Sequence, residues 1–239
     1  MEKDPFLHHP ALRDMITPAD QSRFRDFDPA EFDDVMLEMG APLDWRYDEA
    51  DREALRLAEM TGRWDKDLWV FAYGSLCWDP AMIFDEVRRA HLPSYCRRMI
   101  LKDSKGARGT EEQPGLMAAL TEGEGCDGLA FRVPASIIDA ETRNLWARER
   151  IAPAYASAFL SAETAHGDIE VLAFVADTTA EVIDCTISRD DQVRYIATGA
   201  GFLGTSLEYV QKLQSGLGAV GITDNYLDAL LADAEAMQQ

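Results

Sequence analysis

From Asp67 onward the chain is written in short apolar runs, each closed after a few residues by glycine, proline or charge. The runs at residues 68–73, 95–101, 116–120, 128–133 and 169–175 have the length and the aromatic and aliphatic content of strands, and residues 154–161 are a further candidate. The pieces between them are mostly loops, so an antiparallel or mixed curled sheet fits better than a doubly wound one. Helical patterns follow: Pro134 opens one that reaches about residue 150, and others cover residues 190–198, 206–216 and 223–237. The expected class is α+β.

Residues 1–66 are different. They are rich in Asp, Glu, Arg and Pro, with few β-branched residues and two helix-like pieces at 29–39 and 47–60. Asp28 before Pro29 makes an N-cap and first-turn pair, and Gly40 is a stop. This region is expected to be a helical extension, 1–66, packed on a main domain, 67–239. No repeat or low-complexity tract interrupts either part.

The charge narrows the classes of partner. With 23 basic against 43 acidic residues, the formal charge is -20, which argues against nucleic acid or an anionic membrane. A local site can still oppose that field and take an anionic small molecule. Cys77, Cys96, Cys126 and Cys185 form no CxxC pair, and the opening MEKDPFLHHP lacks an apolar signal region. No stretch approaches the roughly 18 apolar residues of a membrane span. Reduced thiols in a cytoplasm are the expectation. The four histidines, His8, His9, His91 and His166, show no metal-ligand spacing. His8 and His9, near the chain end, are expected to be solvated, and neither a metal nor another cofactor is expected.

Three segments carry chemistry. Tyr73-Gly74-Ser75-Leu76 follows directly on an apolar run, and a glycine and serine there allow a tight turn with outward N–H groups that hold a carboxylate or carbonyl oxygen. Gly74 suits a positive φ or the close approach of substrate. Taken alone, such a turn is also common structure. Glu149 lies in LWARER, where a solvated carboxylate between two arginines is one reading. Helical phase gives another. Leu145 and Glu149 come 7 and 11 positions after Ile138, which at about 100° per residue puts all three on one stripe, within roughly 20°. A carboxylate on an inward stripe is desolvated and becomes a better base near neutral pH. Third, Arg108-Gly109-Thr110 and Pro114-Gly115 bracket a loop that suits either the border of a site or a plain hairpin connection.

Together the segments LWVFAYGSLCW (68–78), YCRR (95–98), RGTEEQPGLMAAL (108–120), GLAFRV (128–133) and LWARERIAPAY (145–155) resemble the ChaC family of γ-glutamylcyclotransferases, in order and with sensible spacing. The tail, from GFLG at 201–204 through Glu208-Tyr209 to GITD at 221–224, resembles the C-terminal helices of its bacterial members. The likeness covers roughly residues 67–235. YGSL alone is shared among cyclotransferase relatives, whereas its combination with the RGT-to-PG segment and an Arg-Glu helix end is much more specific. Leu101-Lys102-Asp103 departs from the aromatic stretch of eukaryotic members.

The resemblance implies a compact mixed β-barrel wrapped by helices and a cofactor-free enzyme. That enzyme cleaves glutathione to 5-oxoproline and cysteinylglycine. It places the substrate loop on Tyr73, Gly74, Ser75 and Leu76, the catalytic carboxylate on Glu149, and further substrate contacts on Tyr155 and Tyr209; Arg108, in the loop that suits the border of a site, is taken as one more substrate contact. The loop and the glutamate act on the γ-glutamyl half, which other γ-glutamyl amino acids and amines share. A cyclotransferase for those compounds therefore stands beside the glutathione enzyme, as does a noncatalytic regulator associated with cation transport.

Overall fold

A computed structural model describes residues 4–239. Its strands, in chain order, are β1 (Leu68–Ala72), β2 (Glu86–Leu92), β3 (Tyr95–Asp103), β4 (Gly115–Glu122), β5 (Cys126–Val133), β6 (Tyr155–Ala162), β7 (Ile169–Ala176), β8 (Ala200–Gly201) and β9 (Gly204–Thr205). The α-helices are α1 (Asp33–Glu38), α2 (Glu49–Glu59), α3 (Ile138–Glu149), α4 (Arg189–Thr198), α5 (Ser206–Gly218) and α6 (Asn225–Met237). The architecture is α+β, as the alternation of short runs and terminal helices predicts.

Strand β1 is the centre of a five-stranded sheet ordered β2-β5-β1-β7-β6. It pairs antiparallel with β5 and parallel with β7, so both of its edges are hydrogen-bonded, and every residue but Trp69 is buried. The sheet curls until its edge strands meet at one rung. The N–H of His91 in β2 donates to the carbonyl of Glu163 beyond β6 (2.9 Å), and Glu163 N–H returns the bond to His91 (2.8 Å). Strands β3 and β4 form a separate antiparallel ribbon, bulged between Met99 and Leu101.

Strand β2 has no counterpart in the sequence expectations, and the reason is visible. Its buried residues, Val87, Ala90 and Leu92, break the two-residue alternation, and Arg88 and Arg89 stand between them. Arg88 lies over the Trp69 ring at 4.6 Å, so the apolar stem is covered by an aromatic face. The helix opened by Pro134 begins with a 3₁₀ turn, Ala135–Ile137, before α3 proper. In the N-terminal region Asp28 does cap a helical turn, accepting from Ala30 N–H, but that turn is 3₁₀ (Pro29–Phe32) and leads into α1. Gly40 adopts φ 81°, the left-handed geometry of a helix stop.

Leu12, Ile16 and Met60 join the same apolar cluster as β1, β5 and β7. Arg56 of α2 is fully buried on α3, bonded to Glu53, Asp139 and Thr142 Oγ1 (2.6 Å). Arg25 makes a bidentate pair with Glu141 of α3 at 2.5 and 2.9 Å, and Glu141 is only 2% exposed. Removing one partner of a buried pair strands the other charge. Arg25→Ala should therefore lower unfolding free energy by about 3–5 kcal/mol, read from the denaturant midpoint. A midpoint unchanged from wild type would show that this contact contributes nothing.

Candidate active site

Just past β1 the backbone turns sharply. Gly74 has φ -135° and ψ -135°, and Ser75–Cys77 form one 3₁₀ turn. The amides of Gly74, Ser75 and Leu76 open that turn, where no helical acceptor exists, and they have no acceptor among the described residues. Gly74 is therefore not in the left-handed region. It is required by approach instead, because a Cβ there would lie 2.6 Å from the Tyr209 hydroxyl.

Two arginines fix the turn. Arg97 of β3, buried, donates through Nε to the Tyr73 carbonyl (2.6 Å) and through Nη2 to the Asp127 carbonyl (2.7 Å). Its remaining nitrogen pairs with Asp224, the N-cap of α6. Arg148 of α3 donates to Ser75 Oγ (2.8 Å) and to the Asp79 carbonyl. A phenyl ring of the N-terminal segment, Phe24, lies 4.4 Å from the Arg148 guanidinium carbon.

The turn forms one wall of a cavity of about 20 Å³, lined by Tyr73, Gly74, Ser75, Leu76, Ala118, Glu149, Tyr155, Phe174 and Tyr209. The fold thus gathers all of the expected site residues except Arg108. Tyr73 donates to the Phe174 carbonyl (2.6 Å), Tyr155 donates to the Ala118 carbonyl (2.9 Å), and Tyr209 Oη accepts from Ala118 N–H (3.2 Å). Burial raises the pKa of all three phenols, that of Tyr209 to about 12. They stay protonated near neutral pH.

Glu149 is the group here that can take a proton. It is the last residue of α3, on one stripe with the buried Ile138 and Leu145, and its side chain is 13% exposed. Burial raises its pKa above the ordinary 4.5, and Arg148, with Nε 3.1 Å from Oε1, opposes this only in part. The negative end of the helix dipole acts in the same direction as burial. Among the described residues no donor hydrogen-bonds to the Glu149 carboxylate. Its ion-pair partner is the adjacent Arg148, and the carboxylate lines the cavity.

Arg108 stands behind Tyr209, its guanidinium carbon 5.6 Å from that ring's centroid. It lies in the connection between β3 and β4, the hairpin reading of this segment. The Asp103 carboxylate organises that connection by accepting from the amides of Lys105 (2.9 Å), Arg108 and Gly109 (3.1 Å). Sequence reasoning missed Arg97, Arg148, Ala118 and Phe174. The arginines carry the one usable signal, since each sits inside a segment quoted for the family likeness. Ala118 and Phe174 contribute carbonyls and surface, which side-chain chemistry cannot advertise.

The histidines near the N-terminus are not simply solvated. His9 Nε2 accepts from Arg89 N–H (2.9 Å), and His8 packs on His166 with ring centroids 4.4 Å apart. All four cysteines are free thiols, with Cys77 and Cys126 buried. A larger cleft, about 460 Å³, opens between Tyr95, Arg98, Leu120, Glu122, Val175 and Cys185. Its carboxylate, Glu122, is exposed, unlike that of Glu149.

Residues 68–237 match the ChaC-like protein family. The chain belongs to that family. Among curated relatives of this ChaC-like protein is the glutathione-specific γ-glutamylcyclotransferase of Escherichia coli, 32% identical over 171 residues, covering 71% of this chain and 74% of the relative. The glutathione-specific γ-glutamylcyclotransferase 1 of Mus musculus is 28% identical, covering 69% and 76%. A crystal structure of a yeast γ-glutamyl cyclotransferase specific to glutathione shares the fold, with TM-score 0.66 at 20% identity over 72% of this chain and 96% of that one. Among the described residues, no helix of the ChaC-like chain is long and apolar enough to cross a membrane.

Proposed function

We propose that this ChaC-like protein is a cytoplasmic γ-glutamylcyclotransferase that cleaves glutathione into 5-oxoproline and cysteinylglycine. The observation that carries the reading is Glu149: a largely buried carboxylate whose ion-pair partner is the adjacent Arg148, sharing one cavity with the unpaired amides of the Tyr73–Leu76 turn. Curated relatives named for this activity on glutathione support it.

The chemistry follows from that pairing. Glu149 removes a proton from the substrate α-ammonium, and the freed amine attacks the γ-carbonyl carbon to form the new C–N bond. The carbonyl oxygen becomes an oxyanion, which the amides of Gly74, Ser75 and Leu76 are suited to stabilise. The old amide C–N bond then breaks, the proton held by Glu149 passes to the departing cysteinylglycine amine, and the second proton of the attacking nitrogen is lost to the freed Glu149 carboxylate and from there to solvent, leaving the neutral lactam. The attack is intramolecular, so holding the folded conformer is the main task of the site, and Tyr73, Tyr155 and Tyr209 do this as walls. The reaction draws on no metal or nucleotide. A cavity of about 20 Å³ holds about one water, so the walls must separate to admit a γ-glutamyl group. Residues 67–239 form the family domain in this reading and residues 1–66 an added extension.

Incubation with glutathione and mass spectrometry for 5-oxoproline and cysteinylglycine tests the proposal; absence of both products ends it. Glutathione should also be strongly preferred over γ-glutamyl-alanine. Comparable kcat/KM for the two would place the protein with the broader cyclotransferases.

A further inference from the structure

Arg148 meets the site through all three nitrogens of its guanidinium. Nη2 donates to Ser75 Oγ at 2.8 Å, Nη1 donates to the Asp79 carbonyl behind the turn, and Nε stands 3.1 Å from Oε1 of Glu149. One side chain thus ties the proton acceptor to the turn that carries the amides. A guanidinium makes its hydrogen bonds in its own plane and is weakly hydrated, so an aromatic ring can shield it without competing for those bonds. Arg148 has such a shield. Its guanidinium carbon lies over the Phe24 ring, 4.4 Å from the centroid, and the side chain is only 7% exposed. The other guanidinium near that ring, the exposed Arg23, is farther away at 5.8 Å.

Phe24 belongs to the N-terminal segment, outside residues 68–237 that carry the family match. That segment is nevertheless bonded to the connection that follows the turn. Thr17 N–H donates to the Trp78 carbonyl (2.8 Å), and Arg25 Nη1 donates to the Ala81 carbonyl (3.3 Å). Ala81 is buried with φ 55°, a left-handed conformation that is costly for a residue with a Cβ and persists only where surrounding contacts hold it. Phe24 itself is held from both directions along the chain. Its N–H donates to Ser22 Oγ (3.1 Å), its ring meets that of Phe27 edge-on at 6.0 Å, and the next residue, Arg25, makes the bidentate pair with Glu141.

We infer that Phe24 is a positioning residue for the reaction, acting through Arg148, so that the N-terminal segment completes the active site. The inference rests on the proposed cyclotransferase activity. Phe24 does not line the cavity, and its effect passes through the arginine it covers. With water kept from the guanidinium, its bond to Ser75 and its pairing with Glu149 are stronger and hold one geometry. Without the ring, water competes for the same donors, and the turn and the carboxylate lose their common tether. Small displacements between reacting groups are enough to slow such a reaction.

The test measures kcat/KM for glutathione in wild type, Phe24→Leu, Phe24→Tyr, Arg148→Met and the Phe24→Leu, Arg148→Met double variant. Each rate is expressed per folded enzyme, with the folded fraction taken from thermal unfolding of the same preparation. Phe24→Leu keeps apolar bulk but loses the aromatic face, so kcat/KM should fall about tenfold, the worth of a cation–π contact largely shielded from water. Phe24→Tyr keeps the face and should retain most of the wild-type value. In the Arg148→Met background the guanidinium is gone, and Phe24→Leu should add little further loss. Wild-type kcat/KM in Phe24→Leu, equal losses in Phe24→Leu and Phe24→Tyr, or an equal cost of Phe24→Leu in both backgrounds overturns the inference while leaving the cyclotransferase activity standing. A wild type that forms no 5-oxoproline ends the activity reading and this inference with it.

Discussion

Glu149→Gln lowers glutathione cyclisation by roughly 10²–10⁴-fold, the usual share of positioned acid–base catalysis, in a protein that remains folded. The substitution preserves size and removes the proton acceptor. The arrangement around it gives the expectation its force. The cavity contains three tyrosines whose phenols burial holds protonated, so no neighbour can replace the carboxylate near neutral pH. Wild-type kcat/KM should rise with pH through the Glu149 pKa, which lies above 4.5, and that acid limb should be missing from the residual activity of the variant. A folded variant with near wild-type turnover would end the mechanism.

The same substitution has a thermodynamic signature of known sign. In the folded protein Glu149 holds its proton to a higher pH than in the unfolded chain, because burial raises its pKa. Between the unfolded and folded values the native state binds more protons, so this group makes the wild type lose stability as pH rises. Glu149→Gln removes that loss. The melting temperatures of the two proteins should differ little below about pH 4.5, and the variant should gain on wild type as the pH is raised toward neutral. A solvated carboxylate would give no such divergence.

What the sequence disclosed of this site depended on whether the information was local. Glu149 was legible because helical phase is fixed by backbone geometry, and Ile138 and Leu145 mark the inward stripe. The β1 strand and the Tyr73–Leu76 turn were legible because an apolar run ending in Tyr-Gly-Ser states both elements in nine residues. Family resemblance, not periodicity, put Tyr155 and Tyr209 with them. Arg97 stood inside a segment of family likeness, but its role was not legible, because its partners, the carbonyls of Tyr73 and Asp127 and the carboxylate of Asp224, are brought together only by the fold. Phe24 over Arg148 is a contact between residues far apart in the chain, from a region with no family signal. Strand β2 was hidden for a different reason, since its Arg88 is stabilised by Trp69 and Glu86 rather than by solvent.

Gly74→Ala should reduce kcat/KM for glutathione by roughly 10²-fold, the scale of a reacting group displaced by about an ångström. The backbone there is outside the left-handed region, so the effect is one of space. The added methyl would stand 2.6 Å from Tyr209 Oη and 3.6 Å from Ala118 Cβ. Tyr209 is 3% exposed, packed at right angles to Trp78 at 5.1 Å and bonded through Oη to Ala118 N–H, so it cannot simply swing aside. The turn must shift instead, and its amides move with it. This predicts a specific rescue: Tyr209→Phe deletes the clashing oxygen, so adding Gly74→Ala to Tyr209→Phe should cost much less than adding it to wild type. If the two costs are equal, the methyl obstructs substrate directly rather than displacing the turn. If Gly74→Ala retains full activity, the turn has no part in binding, and the amides of Gly74, Ser75 and Leu76 lose their assigned role.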